Sequence, residues 1–354
     1  MTETKIAQHL LPLDLLIFDM DGVLIDVSKS YRKTIEKTIQ IYLTLCFGTS
    51  GGKNGLVLDD AISRFKGAGG FNNDWDLTSG LLIYLLSISG LPPASKRKPS
   101  SSIREVVAYL RGAALGLSYK IPMSISTGHL SSFLEKVKAS GGGLKGVRRA
   151  LGSSWEGWVY GQGNLDEENL VKRIFQEVYL GKKFTSCYSL ERLFYRREGY
   201  YLQERMLIPR EILSFLRKKL RLGIASGRPR FEAELTLRRF HLFSSFKSIV
   251  TLDECLKEEE RLFRSTRRRP KRTKPHPFPL KRAIEKIGIP HARCGSVGDV
   301  VDDILAAVAL KKRQAILALG FIAGTKDRTI ESVLKQAGAD RIIRRPRELL
   351  QLIA

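Results

Sequence analysis

Apolar runs alternate with amphipathic stretches along the C-terminal part of this chain. RLGIAS (Arg221–Ser226) predicts a strand and PRFEAELTLRRF the helix after it. SIVTLD (Ser248–Asp253) predicts a strand, and PFPLKRAIEKIG (Pro277–Gly288) a helix opened by prolines and closed by glycine. CGSVGD (Cys294–Asp299) predicts a strand followed by a helix through Leu310, and QAILALG (Gln314–Gly320) a further strand. A helix near Thr329–Ala337, a short strand RIIR and a last helix complete the series. Near the N-terminus, LLIFDMDGVLID (Leu15–Asp26) begins as a strand and ends abruptly in carboxylates.

Apolar strands alternating with amphipathic helices predict an α/β fold, a Rossmann-like three-layer core with a parallel sheet covered on both faces. Ligands of such sheets sit beyond the carboxyl ends of the strands. Asp19, Ser226 and Asp299 each fall at one of those ends.

Between the first strand and Arg221 the period changes. Tyr31, Ile35, Ile39, Tyr42 and Cys46 recur at helical spacing. IREVVAYLRGAAL, LDEENLVKRIFQEVYLG and IPREILSFLRKKL also read as helices, with glycine-rich breaks GTSGGKNG, KGAGGFNN and SGGGLKG between helical stretches. The pattern predicts a core built from residues 10–26 and 205–354. A mostly helical domain of roughly 180 residues, 27–204, is inserted after the first strand. Pro92–Ser102 reads as an exposed loop, and Gly112–Gly163 shows little pattern.

Charge sharpens this picture. The 354 residues carry 60 Lys+Arg against 36 Asp+Glu, a net charge of +24. That excess suits phosphorylated metabolites, nucleic acid or an anionic surface without choosing among them, and a merely solvated basic surface is the plain alternative. Four scattered cysteines make neither a disulfide framework nor a zinc site and fit a reducing, cytoplasmic setting. The early acids argue against a signal peptide. The longest apolar run, Leu81–Leu86, is far short of the ~20 residues of a membrane span.

The chemistry centres on Asp19 and Asp21. Two residues apart on a strand they face the same way, and two buried acids are costly unless something uses them. Asp19, ionised near neutral pH, is the candidate nucleophile towards a phosphoryl group. Asp21 is the candidate acid for the leaving oxygen and base for water, and Gly22 allows a tight turn beside the substrate. An anion attacking an anion requires a cation. GDVVDD supplies Asp299, with Asp303 one helical turn on and able to reach the same site or orient Lys274. Asp302 is the better candidate for capping the next helix. Such oxygen ligands suit Mg²⁺. The Ser226 hydroxyl and the N–H groups through Gly227 can bind phosphate oxygens. Arg228 either assists them or is an exposed arginine at a helix start. Lys274, in KPHP, adds positive charge, and His276 is a loop histidine.

DMDGVLID, GIASG, KPHP and GDVVDD, in that order, resemble the four motifs of the haloacid dehalogenase superfamily of phosphohydrolases. The resemblance implies a Rossmann-like core and Mg²⁺. It implies Asp19 as nucleophile, Asp21 as acid/base and, through its backbone carbonyl, metal ligand, Ser226 and Lys274 on phosphate, and Asp299 on metal. The helical insertion resembles the cap of subfamily I, type A. SKSYRKTIEKT and FKGAGGFNNDWDL resemble a little-characterised clade of it. The large segment after Trp75 and the basic run RLFRSTRRRPKRTK (Arg261–Lys274) depart from the pattern. The dehalogenase branch lacks the second aspartate and needs no metal.

Substrate selection is expected from the inserted domain. Candidates are Ser30, Tyr31 and Arg32 on its first helix, and Lys66, Asn72, Asn73, Asp74 and Trp75 in a glycine-bounded loop. Helical spacing also fits Tyr31 to the inserted domain's own core. The basic run reads as a disordered, solvated loop. The expected function is a Mg²⁺-dependent phosphatase of small phosphorylated metabolites. A phosphotransferase or mutase of the same superfamily is the alternative within the fold, and a nucleic-acid-binding protein the less favoured one outside it.

Overall fold

The computed structural model describes residues 12–49, 58–71, 73–94, 98, 100–122, 125–152, 155–268, 270–323 and 329–353. The chain divides into two compact units, Met1–Val27 with Arg205–Ala354, and Ser28–Glu204.

The first unit holds a parallel sheet. Its strands are β1 (Leu15–Phe18), β4 (Arg221–Ala225), β5 (Ser248–Val250), β6 (Cys294–Gly298), β7 (Ile316–Phe321) and β8 (Arg341–Ile343), in the order β5-β4-β1-β6-β7-β8. All four residues of β1 are buried. A central parallel strand is covered on both faces, so its apolar run is unbroken rather than alternating. Leu16 and Phe18 pack on one side with Leu222, Ile224, Val297 and the helix Arg210–Lys219. Leu15 and Ile17 pack on the other with the helices Phe278–Ile287 and Val301–Leu310. Alternate residues of one strand thus build the two halves of the core.

Register places the strand ends side by side. Phe18 pairs with Ile224 on β4 and with Val297 on β6. Asp19 donates its N–H to the Val297 carbonyl at 2.9 Å. From β1 the chain continues on one side through β4 and β5 and on the other through β6, β7 and β8. This change of direction opens a crevice at the carboxyl ends. A two-stranded antiparallel ribbon, β2 (Ile25–Asp26) with β3 (Arg205–Met206), joins the two chain segments where they leave the unit.

Three elements differ from the sequence reading. The strand after Ser248 stops at Val250, and a helix runs over Leu252–Thr266. Glu254 accepts from both the N–H and the hydroxyl of Thr251, at 2.9 and 2.7 Å, and the resulting cap turns the chain out of the sheet. The first part of the basic run, Arg261–Thr266, is therefore helical rather than disordered; Arg269 lies outside the described residues. The last helix, Pro346–Leu352, is of the 3₁₀ type.

The second unit is helical. Its helices are Tyr31–Phe47, Asp59–Gly67, Asp74–Ser87, Ile103–Ala114, Thr127–Ala139, Gly143–Leu151, Leu170–Leu180 and Lys183–Tyr188. The apolar stretch Leu81–Leu86 belongs to Asp74–Ser87, a helix buried nearly all round. Arg173 and Glu177, 1% and 0% exposed, form a buried ion pair at 2.8 Å. Glu177 also accepts the N–H groups of Leu193, Phe194 and Tyr195, which anchors the chain after Lys183–Tyr188. Among the described residues no helix is long and apolar enough to cross a membrane.

Candidate active site

Two strand ends supply the acidic centre of the first unit. Asp19 follows β1, while Asp299 and Asp303 follow β6. One carboxylate oxygen from each of the three lies within 4.8 Å of the others. Lys274, in the segment before the helix Phe278–Ile287, places its Nζ 2.9 Å from Asp19 Oδ1 and 2.6 Å from Asp303 Oδ1. The other Asp303 oxygen accepts the N–H groups of Asp299 and Val300, at 3.2 and 3.4 Å. It is therefore Asp303, not Asp302, that caps the helix Val301–Leu310. Asp303 is 3% exposed and turned inward, so its carboxylate reaches the exposed backbone groups at the turn.

Gly22 is required by the same packing. Its φ is +76°, and a Cβ there would lie 1.9 Å from Asp299 Oδ2. The backbone after Asp21 thus makes room for the Asp299 carboxylate.

Burial pushes the Asp19 carboxyl up to about 7; Lys274 opposes this rise, and Asp303 and Asp21 add to it. Burial works against the Lys274 ammonium, but Asp19 and Asp303 outweigh it and hold the lysine charged. The Asp302 carboxyl is raised by burial and by its neighbour Asp303. A clustered set of hard oxygen donors with one cation has room in its charge balance for a divalent ion.

Asp21 lies close enough to raise the Asp19 carboxyl, but its own partner is Arg228. Its Oδ1 accepts from Arg228 Nε at 2.7 Å and pairs with Nη2 at 2.5 Å. The side chain of Asp21 is absent from the cluster of Asp19, Asp299 and Asp303. Arg228 is not the exposed helix-start residue of the sequence alternative. It is 2% exposed, because Asp21 and Thr236 Oγ1 (2.7 Å) supply the partners that a buried guanidinium needs. Its guanidinium is engaged by Asp21 and Thr236. Ser226 is 3% exposed; its Oγ accepts the Arg228 N–H at 3.2 Å, with Gly227 exposed between them. His276 Nδ1 accepts the Phe278 N–H at 3.1 Å, so this loop histidine serves the start of a helix.

Several of the candidates in the helical unit are held by that unit's own packing and caps. Tyr31 is 3% exposed, stacked on Tyr179 with centroids 4.5 Å apart and on Phe175 at 6.0 Å. It is a core residue of that unit rather than a substrate contact, as its helical spacing allowed. Asn73 caps the helix Asp74–Ser87: its Oδ1 accepts the Asp76 N–H at 2.7 Å and its Nδ2 donates to the Asp76 carboxylate at 2.9 Å. Its amide is thereby committed to the helix start rather than offered to a ligand. Asn72 lies outside the described residues. Arg32 donates to Ser63 Oγ at 2.9 Å, and the Ser30 hydroxyl donates to Glu204 at 3.4 Å. Lys66 pairs with Asp74 at 3.0 Å, and Trp75 is buried. The glycines before Asn73 meet another backbone. Gly143 donates its N–H to the Gly69 carbonyl at 2.8 Å, and a Cβ on Gly70 would lie 2.8 Å from the Gly143 nitrogen. Two glycine-rich segments are thus explained by one close crossing.

On the helix Leu252–Thr266, Arg261 pairs with Glu258 at 2.8 Å and Arg264 with Glu260 at 3.2 Å. Part of the basic run is thereby neutralised on its own helix.

Residues 182–311 match the family model described as haloacid dehalogenase-like hydrolase. A curated protein of Phytophthora nicotianae, imidazoleglycerol-phosphate dehydratase, is 24% identical over 330 residues. The match covers 93% of this chain and 47% of that protein, so the chain spans about half the length of this relative. Among solved structures, the X-ray structure of a structural-genomics target superimposes with a TM-score of 0.55 at 20% identity, covering 96% of this chain and 97% of that one. Phosphatase Tt82 from Thermococcus thioreducens superimposes with a TM-score of 0.51 at 20% identity, covering 91% and 99%. These likenesses establish the fold.

Proposed function

We propose that this chain, which carries a haloacid dehalogenase-like hydrolase domain, is a Mg²⁺-dependent phosphatase of small phosphomonoesters. The observation that carries the reading is the placement of Asp19. Its carboxylate ends the central strand, 2.9 Å from Lys274 and within 4.8 Å of the Asp299 and Asp303 oxygens. Asp19 Oδ attacks phosphorus while the bond to the leaving oxygen breaks, and Asp21 gives that oxygen a proton. Asp21 then takes a proton from water, whose oxygen attacks the aspartyl-phosphate and releases Asp19. Lys274 holds Asp19 in place and supplies fixed positive charge. Ser226 and the N–H of Gly227 are assigned to phosphate oxygens. Asp19 and Asp299, with Asp303 beside them and the Asp21 carbonyl, would hold Mg²⁺, which supplies neutralisation of the phosphoryl charge. Gly22 fits this assignment, since any side chain there would displace Asp299.

The unit Ser28–Glu204 is assigned as the cap of subfamily I, type A. The name of the Phytophthora relative adds imidazoleglycerol phosphate, itself a phosphomonoester, to the substrates worth testing. Nucleic acid is the less favoured partner, because acids on the same helix pair with Arg261 and Arg264. The free cysteines, three of them buried, fit a reducing cytoplasm.

The test is phosphate release from a panel of phosphorylated metabolites, with Mg²⁺ or chelator, comparing wild type with Asp19→Asn. Mg²⁺-dependent release that the substitution abolishes supports the reading. A folded protein that releases phosphate from no member of the panel, or equally well without Asp19, overturns it.

A further inference from the structure

Arg228 is buried at the mouth of the sheet, yet the mechanism above gives it no task. It follows β4 by two residues and precedes Pro229 and the helix Arg230–Arg239. Contacts at both ends hold it. Its Nε and Nη2 both meet Asp21 Oδ1, at 2.7 and 2.5 Å, and its Nη1 donates to Thr236 Oγ1 at 2.7 Å. Its own N–H goes to Ser226 Oγ at 3.2 Å, and its carbonyl accepts the Leu252 N–H at 2.9 Å. Backbone and guanidinium are both tied, so the fork has one orientation. Asp21 is the partner with freedom, its side chain being 31% exposed against 1% for Arg228.

We propose that Arg228 is a positioning residue for Asp21: it pins Oδ1 of that carboxylate, and so directs the proton that Asp21 gives and takes to the other oxygen. The inference rests on the reading of Asp21 as acid/base. It moves Arg228 from the phosphate to the proton. A guanidinium that is 1% exposed and engaged by a carboxylate and a hydroxyl is not offered to a substrate. Thr236, 0% exposed and one helix away, belongs to the device because it holds the far end of the fork. Removing the fork leaves Asp21 free to rotate at the turn after β1, and proton transfer falls off steeply with misplacement.

The test compares two leaving groups. p-Nitrophenolate departs without a proton, whereas the alkoxide of glycerol phosphate needs one. The variants are Arg228→Met, Arg228→Lys and Thr236→Val, each checked for folding by circular dichroism and urea melts. For Arg228→Met the expected result is a fall of about 100-fold in kcat/KM on glycerol phosphate, against about threefold on p-nitrophenyl phosphate. Attack of water also uses Asp21, so kcat falls on both substrates. Thr236→Val and Arg228→Lys show the same split at smaller size, and they carry the test if Arg228→Met does not fold. An equal fall in kcat/KM for both leaving groups overturns the proposal. So does a raised KM with unchanged kcat, which marks Arg228 as a phosphate ligand. A folded wild type that releases phosphate from neither compound nor any member of the metabolite panel overturns the phosphatase reading itself, and this role with it.

Discussion

Replacing Lys274 by methionine removes the cation between two buried carboxylates. Its Nζ lies 2.9 Å from Asp19 and 2.6 Å from Asp303, and the three side chains are 13%, 12% and 4% exposed. Breaking a buried ion pair from one side costs about 3–5 kcal/mol, because the remaining charge is left without a partner. Here two carboxylates are left, facing each other. That loss is expected at pH 8, where wild-type Asp19 is ionised. At pH 5 it should shrink to about 1–2 kcal/mol, because a carboxyl already raised to about 7 is protonated there and burial holds it neutral. Urea unfolding of wild type and variant in chelator, at both pH values, measures the difference. Added Mg²⁺ should recover part of the loss at pH 8. Equal losses at the two pH values would mean that lost packing of the lysine stem, not charge, sets the stability. A loss below about 1 kcal/mol at pH 8 would refute the electrostatic account altogether.

In wild type without metal, stability should fall as pH rises from about 4 to about 7. The unfolded Asp19 releases its proton near 3.8 while the folded one holds it to about 7, and Lys274 stays charged throughout. The effect is at most about 4 kcal/mol and is read from urea midpoints across pH; a flat profile would remove burial as the dominant influence on Asp19. Gly22→Ala should weaken Mg²⁺ binding at least about tenfold by calorimetry, since its Cβ would displace Asp299 and the left-handed backbone adds about 1–2 kcal/mol of strain. Unchanged binding would dissociate Asp299 from the metal. Thr251→Val should cost about 1 kcal/mol by loss of a helix cap, measured by urea melts at neutral pH. Burial raises the Glu254 carboxyl, but its bonds to Thr251 and the charge of Arg230 outweigh this and hold it at about 2. The cap therefore weakens only in strong acid, as pH falls from 4.5 towards 2, and a loss appearing already near pH 6 would contradict it.

Local signals carried much of the fold. Each strand of the sheet is a short apolar run, each flanking helix repeats its apolar residues near 3.6, and both periods are properties of neighbouring residues. For the same reason the acidic residues stood out in sequence: Asp19, Asp299 and Asp303 interrupt apolar stretches where ordinary burial would exclude them. Reading Ser248–Asp253 as a strand throughout passes over the capping box Thr251–Glu254, though Thr and Glu three residues apart are the signal for the helix that follows.

Partner choice was decided elsewhere. Arg228 meets Asp21 across 207 positions of chain, and Lys274 meets Asp19 across 255, because β4, β1 and β6 lie side by side in one register. Tyr31 at helical spacing fits a core or a binding face equally well; the rings of Phe175 and Tyr179 settled it. The glycines of GGFNND and SGGG acquire their reason only where the two backbones cross. A residue's local sequence sets its backbone and the side of an element on which it falls. What stands opposite that side depends on sheet register and helix packing, which no short window of sequence contains.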